Sequence, residues 1–182
     1  MINLSSTKIA IVLRGPPGSG KSTVISELRE FLLKQFSVNC EVEVLDKFDL
    51  NIEKPNNRTY VNLRNTISKN PQCILIELGW GDGATSNPKD WIELLEKAGF
   101  KIFLFKLTAP KDVIIDRVSR RYNKGIGPPP EMALKIYDWY ENNLDFVTFP
   151  KKVGLNEVVI DTSMFKVKEI VTYILNIVLH NR

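Results

Sequence analysis

Glycines at positions 15, 18 and 20, followed at once by Lys21 and Ser22, sit in the run RGPPGSGKST, Arg14 to Thr23. These residue types at this spacing suit the holding of a polyphosphate. Glycines let the backbone curl with its N–H groups turned inward, and a helix starting there adds its partial positive end. Lys21 can reach the outer phosphates, and Ser22 offers a hydroxyl to Mg²⁺. Pro16 and Pro17 carry no N–H, so the anion is expected on the amides of Gly18 to Ser22. Gly15, Gly18, Ser19, Gly20, Lys21, Ser22 and Thr23 are the candidate binding residues.

The match to G-x-x-x-x-G-K-[ST] counts because of what flanks it. Lys8 to Arg14 is a β-branched run ending at Gly15, and the stretch from Gly20 through Phe36 places Val24, Ile25, Leu28, Leu32 and Leu33 at helical spacing. Strand, turn and helix follow in that order. The alternation then repeats. Glu41 to Asp46 reads as a strand, Asn56 to Lys69 as a helix, and Cys73 to Leu78 as a strand buried on both faces. A helix from about Pro88 stops at Gly99, a strand spans Lys101 to Leu107, and a helix begins at Pro110. NKGIGPPP breaks regular structure before the helix EMALKIYDWYENN, a last strand covers Glu157 to Ser163, and VKEIVTYILNIVL closes the chain as an amphipathic helix. Five strands alternating with helices imply one α/β domain over residues 1–182, a three-layer nucleotide-binding fold with a parallel five-stranded sheet.

Composition narrows the chemistry. With 43% hydrophobic and 25% charged residues the 182-residue chain has the make-up of a folded soluble protein, and a net charge of +4 suits phosphate-bearing ligands without forming a dense basic stripe. The single histidine, His180, argues against histidine metal sites and Ser-His-Asp catalysis, leaving Lys, Asp, Glu and Arg. Cys40 and Cys73 have no metal-ligand spacing and read as reduced core thiols, hence a cytoplasmic setting. No apolar run approaches the ~20 residues of a membrane span. A guanine-reading N-K-x-D is missing, since NKGI at Asn123 to Ile126 lacks the acid, and no chain remains for the helical domain of an ATPase motor.

RGPPGSGKST, VLDKFD, the long run from CILIELGWGDG through VIIDRVSRR, and VVIDTS resemble in order the small P-loop kinases, the group joining polynucleotide 5′-hydroxyl kinases with zeta-toxin-like and chloramphenicol-phosphotransferase-like enzymes. The resemblance implies ATP and Mg²⁺, a small helical lid at about 117–130, and transfer of the γ-phosphate to a hydroxyl on a small molecule, a nucleoside or a nucleic-acid end. It implies that Asp46, or Asp49, is the base that takes the acceptor's proton. It also implies that Glu77, or Asp82, assists Mg²⁺ with Ser22, and that Arg117 and Arg121 clamp the phosphates beside Lys21. An offset of four places those two arginines on one helical face. ELGWGDG departs from the family's Asp-Gly-Thr-Asn-like string, so the acceptor is open. Transfer to a nucleoside monophosphate and non-catalytic nucleotide binding are the rival readings.

Trp80, at the sheet edge, reads either as a stacking partner for an acceptor ring or as packing, and Arg58 and Arg64 read as surface arginines. Tyr137, Trp139 and Tyr140 read as core, and Lys151 and Lys152 as solvated.

Overall fold

The computed structural model describes residues 7–38, 40–46, 58–79 and 89–181. Strand β1 (Lys8–Arg14) leads into helix α1 (Lys21–Phe36), then β2 (Cys40–Asp46), α2 (Arg58–Ser68), β3 (Cys73–Gly79), α3 (Lys89–Lys97) and β4 (Phe100–Thr108). The chain continues through α4 (Lys111–Tyr122), α5 (Pro130–Asn142), α6 (Leu144–Lys152), β5 (Glu157–Asp161) and α7 (Val167–His180). The five strands form one parallel sheet in the order β2-β3-β1-β4-β5.

Alternation along β1 divides the core. Ile9, Ile11 and Leu13 face α1 and α7, where Leu28, Leu32, Ile174 and Val178 are buried. Ala10 and Val12 face the other layer, in which Leu63 of α2, Trp91 and Leu95 of α3, Tyr140 of α5 and Phe149 of α6 are buried. A central parallel strand covered on both faces is apolar across its interior, which is why Ile9 to Leu13 carry no polar stripe. Tyr140 is buried in this layer and Trp139 packs against it, as expected of that aromatic helix. Helix α6 lies where the sequence reading placed no element: Pro150 inside LDFVTFPKK disfavours a helix, yet burial of Phe149 against Trp91 outweighs that single penalty. The last strand also stops at Asp161, two residues earlier than expected, because the Asp161 carboxylate accepts the Ser163 amide at 2.8 Å and turns the chain.

Cys40 and Cys73 start neighbouring strands directly opposite one another, both buried with free thiols. The hydrogen bond to Cys40 and then burial hold the Cys73 thiol well above its ordinary pKa. A raised acid pKa stabilises the fold below the ordinary thiol range, and that contribution fades as pH rises toward the folded value. Iodoacetamide at pH 8 is therefore expected to label neither thiol in the native protein and both in urea, read by intact mass. Rapid native labelling of Cys73 would contradict the burial argument.

Candidate active site

The glycine-rich loop follows β1 as the sequence predicts. Gly15 has φ 148°, and a Cβ there would lie 2.1 Å from the Leu107 carbonyl oxygen of β4, so only glycine lets the chain leave the sheet at this point. Gly18 and Gly20 also have positive φ, 84° and 91°. The Ser19 amide donates to the Pro16 carbonyl at 3.2 Å, closing a turn, and the Ser19 side chain is buried beneath the loop. Since that N–H is committed within the loop, the amides open to an anion are fewer than the run Gly18 to Ser22 expected from sequence.

Helix α1 begins with no side-chain cap on Gly20 and no acidic residue in its first turn. Its first intrahelical bond runs from the Val24 amide to the Gly20 carbonyl at 3.0 Å, so the amides of Lys21, Ser22 and Thr23 precede the helical ladder. An N-terminus without its usual capping oxygen is suited to an external anion. Lys21 is buried and folds back on the loop, donating to the carbonyls of Gly15 at 2.7 Å and Pro16 at 3.1 Å. Both bonds keep the ammonium at the loop.

Ser22 and Glu77, predicted separately as oxygen donors, meet across the α1–β3 interface: the Ser22 hydroxyl donates to Glu77 Oε1 at 3.0 Å. Glu77 lies opposite Leu13 and Val44 in the sheet register, near the carboxyl ends of the central strands. Hard oxygen ligands at the mouth of the glycine-rich loop fit Mg²⁺, which keeps most of its waters and takes only one or two protein oxygens. Asp46 ends β2, its backbone opposite Gly79 and two rungs beyond Glu77. The Asp46 and Arg58 side chains lie outside the described residues, as do Asp49, Trp80 and Asp82. Arg64 is exposed on α2.

The region expected as a lid consists of the last turns of α4, a turn at Asn123–Gly125, and the start of α5. Ile114, Val118 and Ala133 pack the two helices together, and Lys111 bonds Asp138 at 2.8 Å. Tyr137 joins this cluster; its burial, then the Glu141 charge, push its phenol above the usual pKa. Arg117 is half-buried and hydrogen-bonded, Arg120 pairs with Asp116 at 3.0 Å, and Arg121 is exposed.

Arg14, the first residue of the glycine-rich run, was assigned no task by the sequence, and the structure turns it into the core. It is 1% exposed, makes a two-pronged ion pair with Glu157 of β5 and lies 5.3 Å from the centre of the Phe149 ring. A cation beside a phosphate motif invites a ligand role; only the partner's position more than 140 residues on tells otherwise.

No protein-family model matches the chain, and no curated protein does. Solved structures do. Shikimate kinase from Acinetobacter baumannii superposes with a TM-score of 0.57 at 20% identity, covering 97% of this chain and 96% of its own. Shikimate kinase from Bacteroides thetaiotaomicron gives 0.52 at 17%, covering 93% and 98%. The tunicamycin resistance protein of Deinococcus radiodurans gives 0.53 at 18%, covering 94% and 95%. Among the described residues, no helix is long and apolar enough to cross a membrane. The likeness extends over nearly the whole chain and shows the fold, a five-stranded parallel sheet between helical layers, as the one these solved structures share.

Proposed function

We propose that the protein is an ATP-dependent, Mg²⁺-assisted phosphotransferase that moves the γ-phosphate of ATP to a hydroxyl acceptor. The observation that carries this reading is the convergence, at one end of the sheet, of an uncapped helix start, the loop-bound Lys21 ammonium and the Ser22–Glu77 oxygen pair. Phosphoryl transfer depends mainly on positioning and on balancing the charge of the transferring group. The amides at the start of α1 orient the phosphates, Lys21 offsets their charge, and exposed Arg121 adds a planar cation from α4. Ser22 and Glu77 hold Mg²⁺, which when bound neutralises charge on the phosphate oxygens. Asp46, at the end of β2, takes the acceptor's proton. The domain closes through the 117–130 lid and works in the cytoplasm.

The solved neighbours named as kinases support the phosphotransferase reading, and the shikimate bound in one suggests a small polyhydroxy acid as a probe. A screen with γ-labelled ATP against 5′-hydroxyl oligonucleotides, nucleosides, shikimate and nucleoside monophosphates tests it. Label on a hydroxyl compound is the expected result. Label on a monophosphate favours the rival kinase class, and neither transfer nor hydrolysis overturns the enzymatic reading. With the acceptor in hand, Asp46→Asn is expected to lower kcat by about 10²–10⁴-fold while leaving ATP affinity within about twofold. Normal turnover of that variant would remove Asp46 as the base.

A further inference from the structure

Arg117 and Arg121 stand one helical turn apart in different surroundings. Arg117 Nη1 donates to the Gly18 carbonyl at 3.2 Å and to the Thr162 hydroxyl at 2.8 Å, while Nη2 donates to the Thr162 carbonyl at 3.0 Å. The Thr162 hydroxyl in turn donates to the Thr108 carbonyl at 3.1 Å. Three acceptors from the phosphate loop and the β5–α7 turn thus converge on one guanidinium. Helix α4 also touches the loop through its packing, since a Cβ on Gly18 would lie 3.0 Å from Val118 Cγ2 and 3.2 Å from the Ile114 carbonyl oxygen.

The consequence lies in one peptide unit. The Gly18–Ser19 peptide is planar and trans, so its C=O and N–H point in opposite directions. Arg117 holds the C=O, and the Pro16 carbonyl holds the N–H. With both ends bonded, the peptide cannot rotate although Gly18, at φ 84°, is free of the steric limits that restrain other residues. Arg121 is exposed, and a Cβ on Gly127 would lie 3.8 Å from its Nη2.

We propose that Arg117 is a positioning residue: it locks the Gly18–Ser19 peptide to the β5–α7 turn, so that the phosphate loop is preformed before any nucleotide arrives. Arg121 is then the α4 arginine left for the polyphosphate. The lock concerns the protein without ligand; its value for binding rests on the nucleotide-binding reading above. A loop already in its binding conformation spares the ligand the cost of ordering it.

Amide hydrogen exchange by NMR on nucleotide-free protein tests the lock directly. Arg117→Ala and Thr162→Val are each expected to speed exchange of the Ser19 amide by about tenfold or more, whereas Thr162→Ser, which keeps the hydroxyl, stays with the wild type. The Thr162 amide still donates to the Thr108 carbonyl at 2.8 Å, so that acceptor is not orphaned by Thr162→Val. Affinity for a non-hydrolysable ATP analogue is expected to fall about tenfold in each variant and no further in the double variant, because both changes release the same peptide. Arg117→Met, which keeps the side-chain stem but not the donors, gives the same readout should Arg117→Ala fail to fold, and unchanged Ser19 exchange in it overturns the lock. Unchanged exchange in Arg117→Ala with a large loss of affinity overturns it in favour of direct phosphate contact. If the wild type bound no analogue, nucleotide binding would fail while the exchange result still decided the lock.

Discussion

Replacing Lys21 by alanine is expected to reduce phosphoryl transfer by about 10²–10³-fold or more, through loss of the ammonium held at the glycine-rich loop. The carbonyls of Gly15 and Pro16 lose the donor that now draws them together, and the charge on the outer phosphates loses its compensation. Because Lys21 opens α1 at its uncapped end, the methyl of alanine keeps the helix start, and the fold is expected to survive. Circular dichroism of the variant should therefore overlay the wild type while transfer of label disappears. Lys21→Arg should not rescue: the bulkier planar guanidinium does not match a buried site fitted to a point charge. A variant that transfers phosphate normally would separate the loop from the chemistry.

The largest effect on stability is expected at Glu157. Glu157→Gln keeps the shape but removes the Glu157 carboxylate charge from beside the Arg14 guanidinium, which is 1% exposed, and breaking one side of such a buried pair costs about 3–5 kcal/mol. For a chain of this size that corresponds to a fall in Tm of roughly 10 °C. The pair also ties edge strand β5 to the end of β1, across the intervening β4, so the loss should loosen the β5–α7 turn that Arg117 grips. Replacing both partners, Arg14→Met with Glu157→Leu, is expected to recover most of the loss, because neither charge of the pair is then left in the core. Thermal unfolding of the two variants side by side checks this. Equal losses in both would mean that packing, not charge burial, is what Glu157 supplies.

How much of this was legible in the residues follows from how local each signal is. The glycine-rich loop and α1 were readable because glycine spacing, the strand before and the helical periodicity after all lie within one stretch of chain. Strands β3 and β4 were readable because parallel strands buried on both faces leave continuous apolar runs such as CILIEL and KIFLFKL, and edge strand β2 because EVEVLD alternates. Helix α6 was not, since what stabilises it is Phe149 meeting Trp91 and Arg14, contacts between segments distant in sequence. The pairing of Cys40 with Cys73 needed the order of β2 and β3 in the sheet, which spacing alone does not specify. Ser22 and Glu77 were named individually from motif and resemblance, but their hydrogen bond depends on the stagger of α1 against β3. Arg117 shows the limit most clearly. Its spacing from Arg121 marks a shared helical face, yet only the β5–α7 turn folding back to the loop decides that one arginine is consumed by the frame and the other is exposed.

Isothermal titration of the wild-type protein with a non-hydrolysable ATP analogue and Mg²⁺, with Lys21→Ala alongside, tests the phosphate loop most directly. Heat of binding with a Kd between about 1 μM and 1 mM, lost in the variant, is the predicted result. Absence of heat with the wild-type protein, or equal heat with both proteins, would contradict the assignment of the Gly15 to Ser22 loop as a nucleotide site.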